Sequence, residues 1–144
     1  MKRGVLVIAL GVAFLILITW IGTFLTSFIP YPATAQVQIK QAGPYQVTLH
    51  VDPNPPPITR SAMLSIQVLL NTSQQPVTNA HVTLESSMET MDMGTDSTEA
   101  QSQGNGIYLA TVQFSMSGPW RVQAIVFMPN GTKSFSAMFE VTAQ

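Results

Sequence analysis

An uninterrupted run of uncharged residues near the N-terminus is the strongest constraint on how this chain folds. No charged side chain occurs between Gly4 and Ile29, and residues 5–18 are almost all aliphatic or aromatic. A helix rises about 1.5 Å per residue, so about 20 such residues cross the roughly 30 Å hydrocarbon core of a bilayer. Residues 4–29 are therefore predicted to form one transmembrane α-helix in the lipid bilayer, ended by Pro30, which cannot continue the helical hydrogen bonding.

The distribution of basic residues predicts the orientation of this helix. Lys2 and Arg3 precede it, and no cluster of basic residues follows it. Because positive charge is retained on the cytoplasmic side, residues 1–3 are predicted to be cytoplasmic. Everything after the helix is then extracytoplasmic or periplasmic, and the chain is a single-pass protein of the plasma membrane.

A cleaved signal peptide is the alternative interpretation of the same segment. Ala33 and Ala35 flank Thr34 in the small-x-small pattern of a cleavage site. The apolar core of a signal peptide is usually about 7–15 residues long, and this segment is much longer, which favours a retained anchor. Cleavage after Ala35 would instead release a soluble periplasmic binding domain.

Composition excludes several classes of function for the part of the chain after the helix. Residues 36–144 carry four basic and seven acidic side chains, a net charge of −3, which argues against nucleic-acid binding. The 144 residues include no cysteine, so there is no lipid-anchoring cysteine, no disulfide and no thiolate metal ligand.

Alternating apolar residues and regularly spaced turns predict an all-β fold for residues 44–144, which a tether of residues 30–43 joins to the helix. Residues 45–51 alternate strictly between apolar and polar side chains, and residues 62–70 repeat the pattern. Turn signals recur about every 8–12 residues, and no helix-length amphipathic segment separates the strands. We therefore predict an immunoglobulin-like antiparallel sandwich of six to seven strands, preceded by the transmembrane helix.

Three methionines lie within six residues in the methionine segment, residues 88–94. Met88, Met91 and Met93 stand among acidic residues and a glycine, which makes them poor core material. Thioether sulfur is a soft, neutral donor that suits copper(I), so these three residues are candidate metal ligands, with Met116 as a fourth. Methionine-rich loops also form adaptable protein-contact surfaces, and this alternative stays open.

Two histidines and three further methionines carry groups that could also bind a metal ion. His50 and His81 fall on the polar faces of their strands and are outside candidates for an imidazole ligand. The three methionines within strands are predicted to pack in the core: Met63, Met128 and Met138.

Catalytic constellations are missing from the sequence. No Ser/His/Asp arrangement, metalloprotease helix or phosphate-binding loop is present, and no small-molecule substrate is indicated. The glycines of Gly104-Asn105-Gly106 predict a hairpin turn, since no helix follows them. The chain is therefore not expected to be an enzyme.

Two stretches carry a resemblance to a known family. The first is QPVTNAHVTLESSMETMDM, residues 75–93, and the second is GNGIYLATVQFSMSGPWRVQAIV, residues 104–126. Together they resemble the FixH/YtkA-like family of membrane-anchored extracytoplasmic β-sandwich domains. The matching positions are Val77, Ala80, Val82, Met88, Met91, Met93, Gly106, Tyr108, Phe114, Met116, Gly118 and Trp120. The chain departs from metal-binding relatives after the methionines, where residues 94–97 hold no histidine.

This resemblance implies a function in copper handling or in assembly of haem-copper oxidases. The expected protein is a non-enzymatic membrane accessory of a respiratory complex, in contact with its transmembrane subunits, that passes or senses copper(I). The alternative is a purely structural accessory subunit of a respiratory electron-transport complex. In that alternative the methionine segment is a docking surface and no metal is bound.

Overall fold

The computed structural model describes residues 2–26 and 31–144. The chain divides into an N-terminal unit, Met1–Pro30, and a β domain, Tyr31–Gln144. The N-terminal unit contains helix α1, Lys2–Thr26. Within α1, Val7–Leu25 has a mean hydropathy of 2.4 over 19 residues, which is long and apolar enough to cross a membrane. A membrane anchor and a signal sequence both meet this criterion. The end of the predicted span, residues 27–29, lies outside the described residues.

The β domain is built from eight antiparallel strands, and the predicted all-β, sandwich-like fold with an N-terminal helix is confirmed. The order across the sheet is β1-β2-β3-β6-β5-β4-β7-β8. The strand bounds are β1 Val37–Ala42, β2 Tyr45–Asp52, β3 Ala62–Leu70, β4 His81–Met88, β5 Asp96–Gly104, β6 Ile107–Val112, β7 Gly118–Phe127 and β8 Ser134–Ala143.

Strand β5 joins the two layers of the sandwich. Its first half pairs with β4, from Asp96 to Ala100, and its second half pairs with β6, from Gln101 to Gly104. A register shift between Ser102 and Gly104 accompanies this second pairing. A strand that bends between two sheets in this way forms a corner of the sandwich. The chain therefore passes from one layer to the other without breaking the ladder.

At the opposite corner, a glutamine side chain connects the first strand to the last. The amide nitrogen of Gln38 in β1 donates to the carbonyl oxygen of Glu140 in β8 at 2.6 Å. The amide oxygen of Gln38 accepts from the backbone N–H of Glu140 at 3.4 Å. The side chain thus pairs with β8 as a neighbouring backbone would, and the sheet is nearly closed.

The core lies between the layers and follows the alternation of the sequence. In β2 the residues Tyr45, Val47, Leu49 and Val51 are buried, as the strand pattern predicts. Phe114 and Trp120 meet edge to face, with ring centroids 5.4 Å apart and planes at 71°.

Tyr108 fastens the crossover between β3 and β4 to the core. Its hydroxyl donates to the carbonyl oxygen of Val77 at 2.7 Å and accepts from the backbone N–H of Ala80 at 3.2 Å. Burial raises the pKa of the Tyr108 hydroxyl above its usual value of 10.0, although the hydrogen bond from Ala80 opposes this shift. The hydroxyl consequently stays protonated near neutral pH and remains a donor to Val77.

Two strands lie where the sequence analysis places none. Residues 37–42, within the predicted tether of residues 30–43, form β1, in which Val37 and Ile39 face outward and only Ala42 is buried. Residues 96–104 form β5, although their side chains are polar and Ala100 is the one buried residue among them. Both strands are held by backbone pairing to neighbours rather than by an apolar face. This is why the observed strands number eight instead of six to seven.

Candidate functional site

The methionine segment begins where β4 ends and leads into β5. Met88, the last residue of β4, pairs with Trp120 of β7. One residue further on, the backbone N–H of Glu89 donates to the carbonyl oxygen of Pro119 at 3.0 Å. Strand β7 therefore fixes the direction in which the segment leaves the sheet.

An open hollow of about 330 Å³ lies along this segment, and we call it the methionine hollow. Met88 and Met91 contribute to its wall, whereas Met93 and Met116 are not among its lining residues. The full lining is Ser87, Met88, Glu89, Thr90, Met91, Asp92, Gly94 and Thr95. Two of the four predicted methionine ligands thus share one surface.

The neighbouring turn that carries Met116 approaches Met88 through Gly118. The indole N–H of Trp120 donates to the carbonyl oxygen of Met116 at 2.9 Å, which holds the turn before β7. Gly118 has a positive φ of 133°, and a Cβ added there would lie 3.0 Å from Cε of Met88. The lack of a side chain at Gly118 therefore leaves room for the methyl group of Met88.

Met91 and Met93, the other two methionines of the segment, are about half exposed to solvent. Met91 is 49% exposed and Met93 is 51% exposed, compared with 36% for Met116. A tight turn carries Met91 and Met93, because the N–H of Met93 donates to the carbonyl oxygen of Met91 at 3.2 Å. Neither side chain is packed in the core.

The structure does not bring His81 to the methionines. His81 begins β4 and pairs with Phe127, whereas Met88 ends the same strand. Seven residues of extended strand separate them by about 23 Å. His81 instead lies 3.5 Å from Glu99, Nδ1 to Oε1, on an exposed surface.

His50 also lies away from the methionine hollow. It belongs to β2 and pairs with Ser65 of β3 and Val37 of β1. Three strands, β3, β6 and β5, separate β2 from β4 in the sheet order. His50 alternates with buried neighbours, so its ring is on the outer face of its layer. Within residues 2–26 and 31–144, no group of three His, Cys, Asp or Glu side chains is suited to hold a metal.

The prediction that the strand methionines pack in the core is wrong for two of them. Met63 in β3 is 51% exposed and Met138 in β8 is 48% exposed. Each alternates with buried residues, so strand geometry turns it outward. Met128, which follows β7, is partly buried and does pack against the core.

The methionine segment lies at the end of the β domain where the chain enters. The side-chain amide of Gln144 donates to the carbonyl oxygen of Tyr31 at 2.8 Å, and that of Asn54 donates to Thr34 at 2.8 Å. A Cβ at Gly118 would also lie 3.6 Å from Cε2 of Tyr31. The first residues of the domain are therefore held beside the turn that contacts Met88.

An ion pair beside the hollow was not found by sequence reasoning. Nη2 of Arg121 lies 3.7 Å from Oε1 of Glu89, and their side chains are 48% and 29% exposed. The two residues are 32 positions apart, so their spacing in the sequence does not indicate that they form an ion pair. Pairing β4 with β7 so that Met88 lies opposite Trp120 would have placed Arg121 near the start of the methionine segment.

Comparison with known proteins gives one family match. A family model described as YtkA-like matches residues 39–124, which is more than half of the chain. The matched range runs from β1 into β7 and includes the methionine segment. No curated protein matches the chain.

Proposed function

The chain belongs to the YtkA-like family, and from this premise we propose that it is a non-enzymatic membrane accessory protein that handles copper(I) for a respiratory membrane complex. Helix α1 would be retained as the anchor, with the N-terminus cytoplasmic and the β domain extracytoplasmic. The family match fits an accessory membrane protein in general. The copper and the respiratory partner are the further steps of the proposal.

The observation that carries the proposal is the set of four thioethers at one end of the domain. Met88 is partly buried against the core, and Met91, Met93 and Met116 are exposed. Met88 and Met91 line one hollow, and Met93 and Met116 lie on the same segment and on the adjacent turn. Thioethers favour soft ions and bind hard divalent ions poorly. The donor set thus fits copper(I) as a cargo that is bound and released, with Met88 held by the sheet and Met91 and Met93 exposed.

Copper(I) titration tests this function directly. We expect the full-length protein in detergent micelles to withdraw about one equivalent of copper(I) from a chromophoric chelator. Zn²⁺ should bind far more weakly, because the hollow offers thioethers rather than imidazole or thiolate ligands. The measurement is the loss of the chelator's copper(I) absorbance under anaerobic conditions. A protein that leaves the chelator fully loaded would contradict the copper proposal.

A second candidate function is a structural subunit that docks through an apolar surface. Three apolar side chains are about half exposed on the outer face of the β1-β2-β3-β6 layer: Val37, Ile39 and Met63. Val37 and Ile39 face outward, whereas the alternate residues Gln38 and Lys40 border the groove beside β8. An edge strand that turns its apolar side to solvent fits a protein partner on that side.

Purification in a gentle detergent separates the two candidates. If docking through the outer face is the function, the protein co-purifies with respiratory subunits. Changing Val37 and Ile39 to threonine then abolishes the association, while changing Met91 to leucine leaves it intact. Retention of the partner by the threonine variant would count against docking through this face.

A further inference from the structure

Among the residues that the structure describes, Glu89 is the one carboxylate that lines both the methionine hollow and a second groove. We call this second site the seam groove, with a volume of about 280 Å³ and a lining of Gln38, Lys40, Glu89, Arg121, Met138 and Glu140. Glu89 lines both hollows. Its backbone N–H donates a hydrogen bond to the carbonyl oxygen of Pro119, and its carboxylate oxygen Oε1 lies 3.7 Å from Nη2 of Arg121. The orientation of this side chain therefore decides whether a carboxylate joins the methionines.

The second carboxylate of the methionine segment is also engaged within the protein. Oδ1 of Asp92 accepts from the backbone N–H of Gly94 at 3.4 Å, which closes a local turn. Gly94 has a positive φ of 85°, consistent with that turn. Both acidic side chains beside the thioethers are thus directed toward protein groups.

We propose that Arg121 is a positioning residue that sets the metal selectivity of the methionine hollow by holding the Glu89 carboxylate on the seam side. The inference rests on the proposed copper function. A hard carboxylate in the donor set favours divalent ions such as Zn²⁺, whereas thioethers without it favour a soft monovalent ion. The guanidinium charge adds to this effect, because it repels a divalent ion more strongly than a monovalent one.

The expected change in Zn²⁺ affinity is modest because the Arg121–Glu89 ion pair is partly exposed to solvent. An ion pair between partly exposed side chains favours the paired orientation over the unpaired one by a factor of about 1.4 to 5. We therefore expect the Arg121→Gln variant to bind Zn²⁺ about fivefold more tightly than the native protein. Its affinity for Ag⁺, a redox-inert substitute for copper(I), should change by less than about twofold, because the thioethers remain in place.

The experiment measures Zn²⁺ and Ag⁺ affinities of the full-length protein in detergent micelles, by competition with indicator dyes. The Arg121→Lys variant keeps the charge and should stay close to the native selectivity. Adding Glu89→Gln to the Arg121→Gln variant should reverse the gain in Zn²⁺ affinity, since the released carboxylate is then gone. Lys40→Gln is the matched control, because Lys40 lines the seam groove but joins neither ion pair recorded for the described residues.

The outcomes separate this inference from the function on which it rests. If the native protein does not bind Ag⁺, the copper proposal fails and the inference fails with it. If the native protein binds Ag⁺ but Arg121→Gln leaves the ratio of Zn²⁺ to Ag⁺ affinity unchanged, or Zn²⁺ binding stays undetectable in both, the inference alone is overturned. A gain in Zn²⁺ affinity that persists without the Glu89 carboxylate overturns it as well.

Discussion

Replacing Gly106 with alanine is expected to destabilise the β domain by about 3–5 kcal/mol. Gly106 has a φ of 72°, and a Cβ there would lie 2.6 Å from the carbonyl oxygen of Val68 and 3.1 Å from the backbone nitrogen of Val77. Both neighbours are backbone atoms within the sheet or its crossover, so neither can rotate away. The carbonyl oxygen of Gly106 also accepts from the N–H of Val68 at 2.8 Å, and displacement would break this bond.

Gly104 provides the matched control within the same hairpin turn. Its φ is 84°, but a Cβ added there meets nothing within 4 Å. Gly104→Ala should therefore cost only the backbone strain, about 1–2 kcal/mol. Urea unfolding followed by tryptophan fluorescence measures both variants, since Trp120 is buried. If both variants lost the same free energy of unfolding, the close approach to Val68 would not be the reason that position 106 requires glycine.

The hairpin illustrates what the sequence could predict about the fold. Gly104-Asn105-Gly106 specifies a turn by conformational preference alone, and all three residues have positive φ angles. Strands with strict alternation, such as residues 45–51, were predictable because one face must be buried. The sequence therefore predicts the fold correctly where the type of a residue determines its backbone conformation or the face of the strand on which it lies.

Strands β1 and β5 could not be predicted by the same reasoning. In β5 the side chains are polar on both faces, and the strand exists because β4 and β6 supply hydrogen-bond partners on its two sides. In β1 the apolar residues Val37 and Ile39 face outward, so their short alternation gave no sign of a strand in the sandwich. Strand pairing between distant segments is tertiary information, and it overrides local pattern.

In the candidate site, too, the sequence predicts the local features but not those that depend on strand pairing. Acidic neighbours and a glycine were enough to predict that the methionine segment leaves the sheet. Its contact with Arg121, and the separation of His81 from Met88, depend on the register between β4 and β7. Residue type alone places Met63 and Met138 in the core, but alternation with the buried residues Leu64 and Ala137 turns them outward.

Changing Met91 and Met93 together to leucine is expected to lower copper(I) affinity on the order of 100-fold, because two thioether donors are lost. Leucine nearly preserves the volume of methionine, and both side chains are about half exposed, so stability should change by less than about 1.5 kcal/mol. The measurement is anaerobic competition with a copper(I) chelator, with the unfolding midpoint recorded for the same samples.

The domain offers a matched control in Met63 and Met138, which are exposed to almost the same extent as Met91 and Met93. They lie in strands β3 and β8 and do not line the methionine hollow, so Met63→Leu with Met138→Leu should leave copper(I) affinity unchanged. If both double variants weaken binding equally, the ion is held by scattered surface thioethers. If neither double variant weakens binding, Met91 and Met93 are not ligands. The exposed segment is then better explained as a docking surface, because adaptable methionine side chains also suit protein contacts.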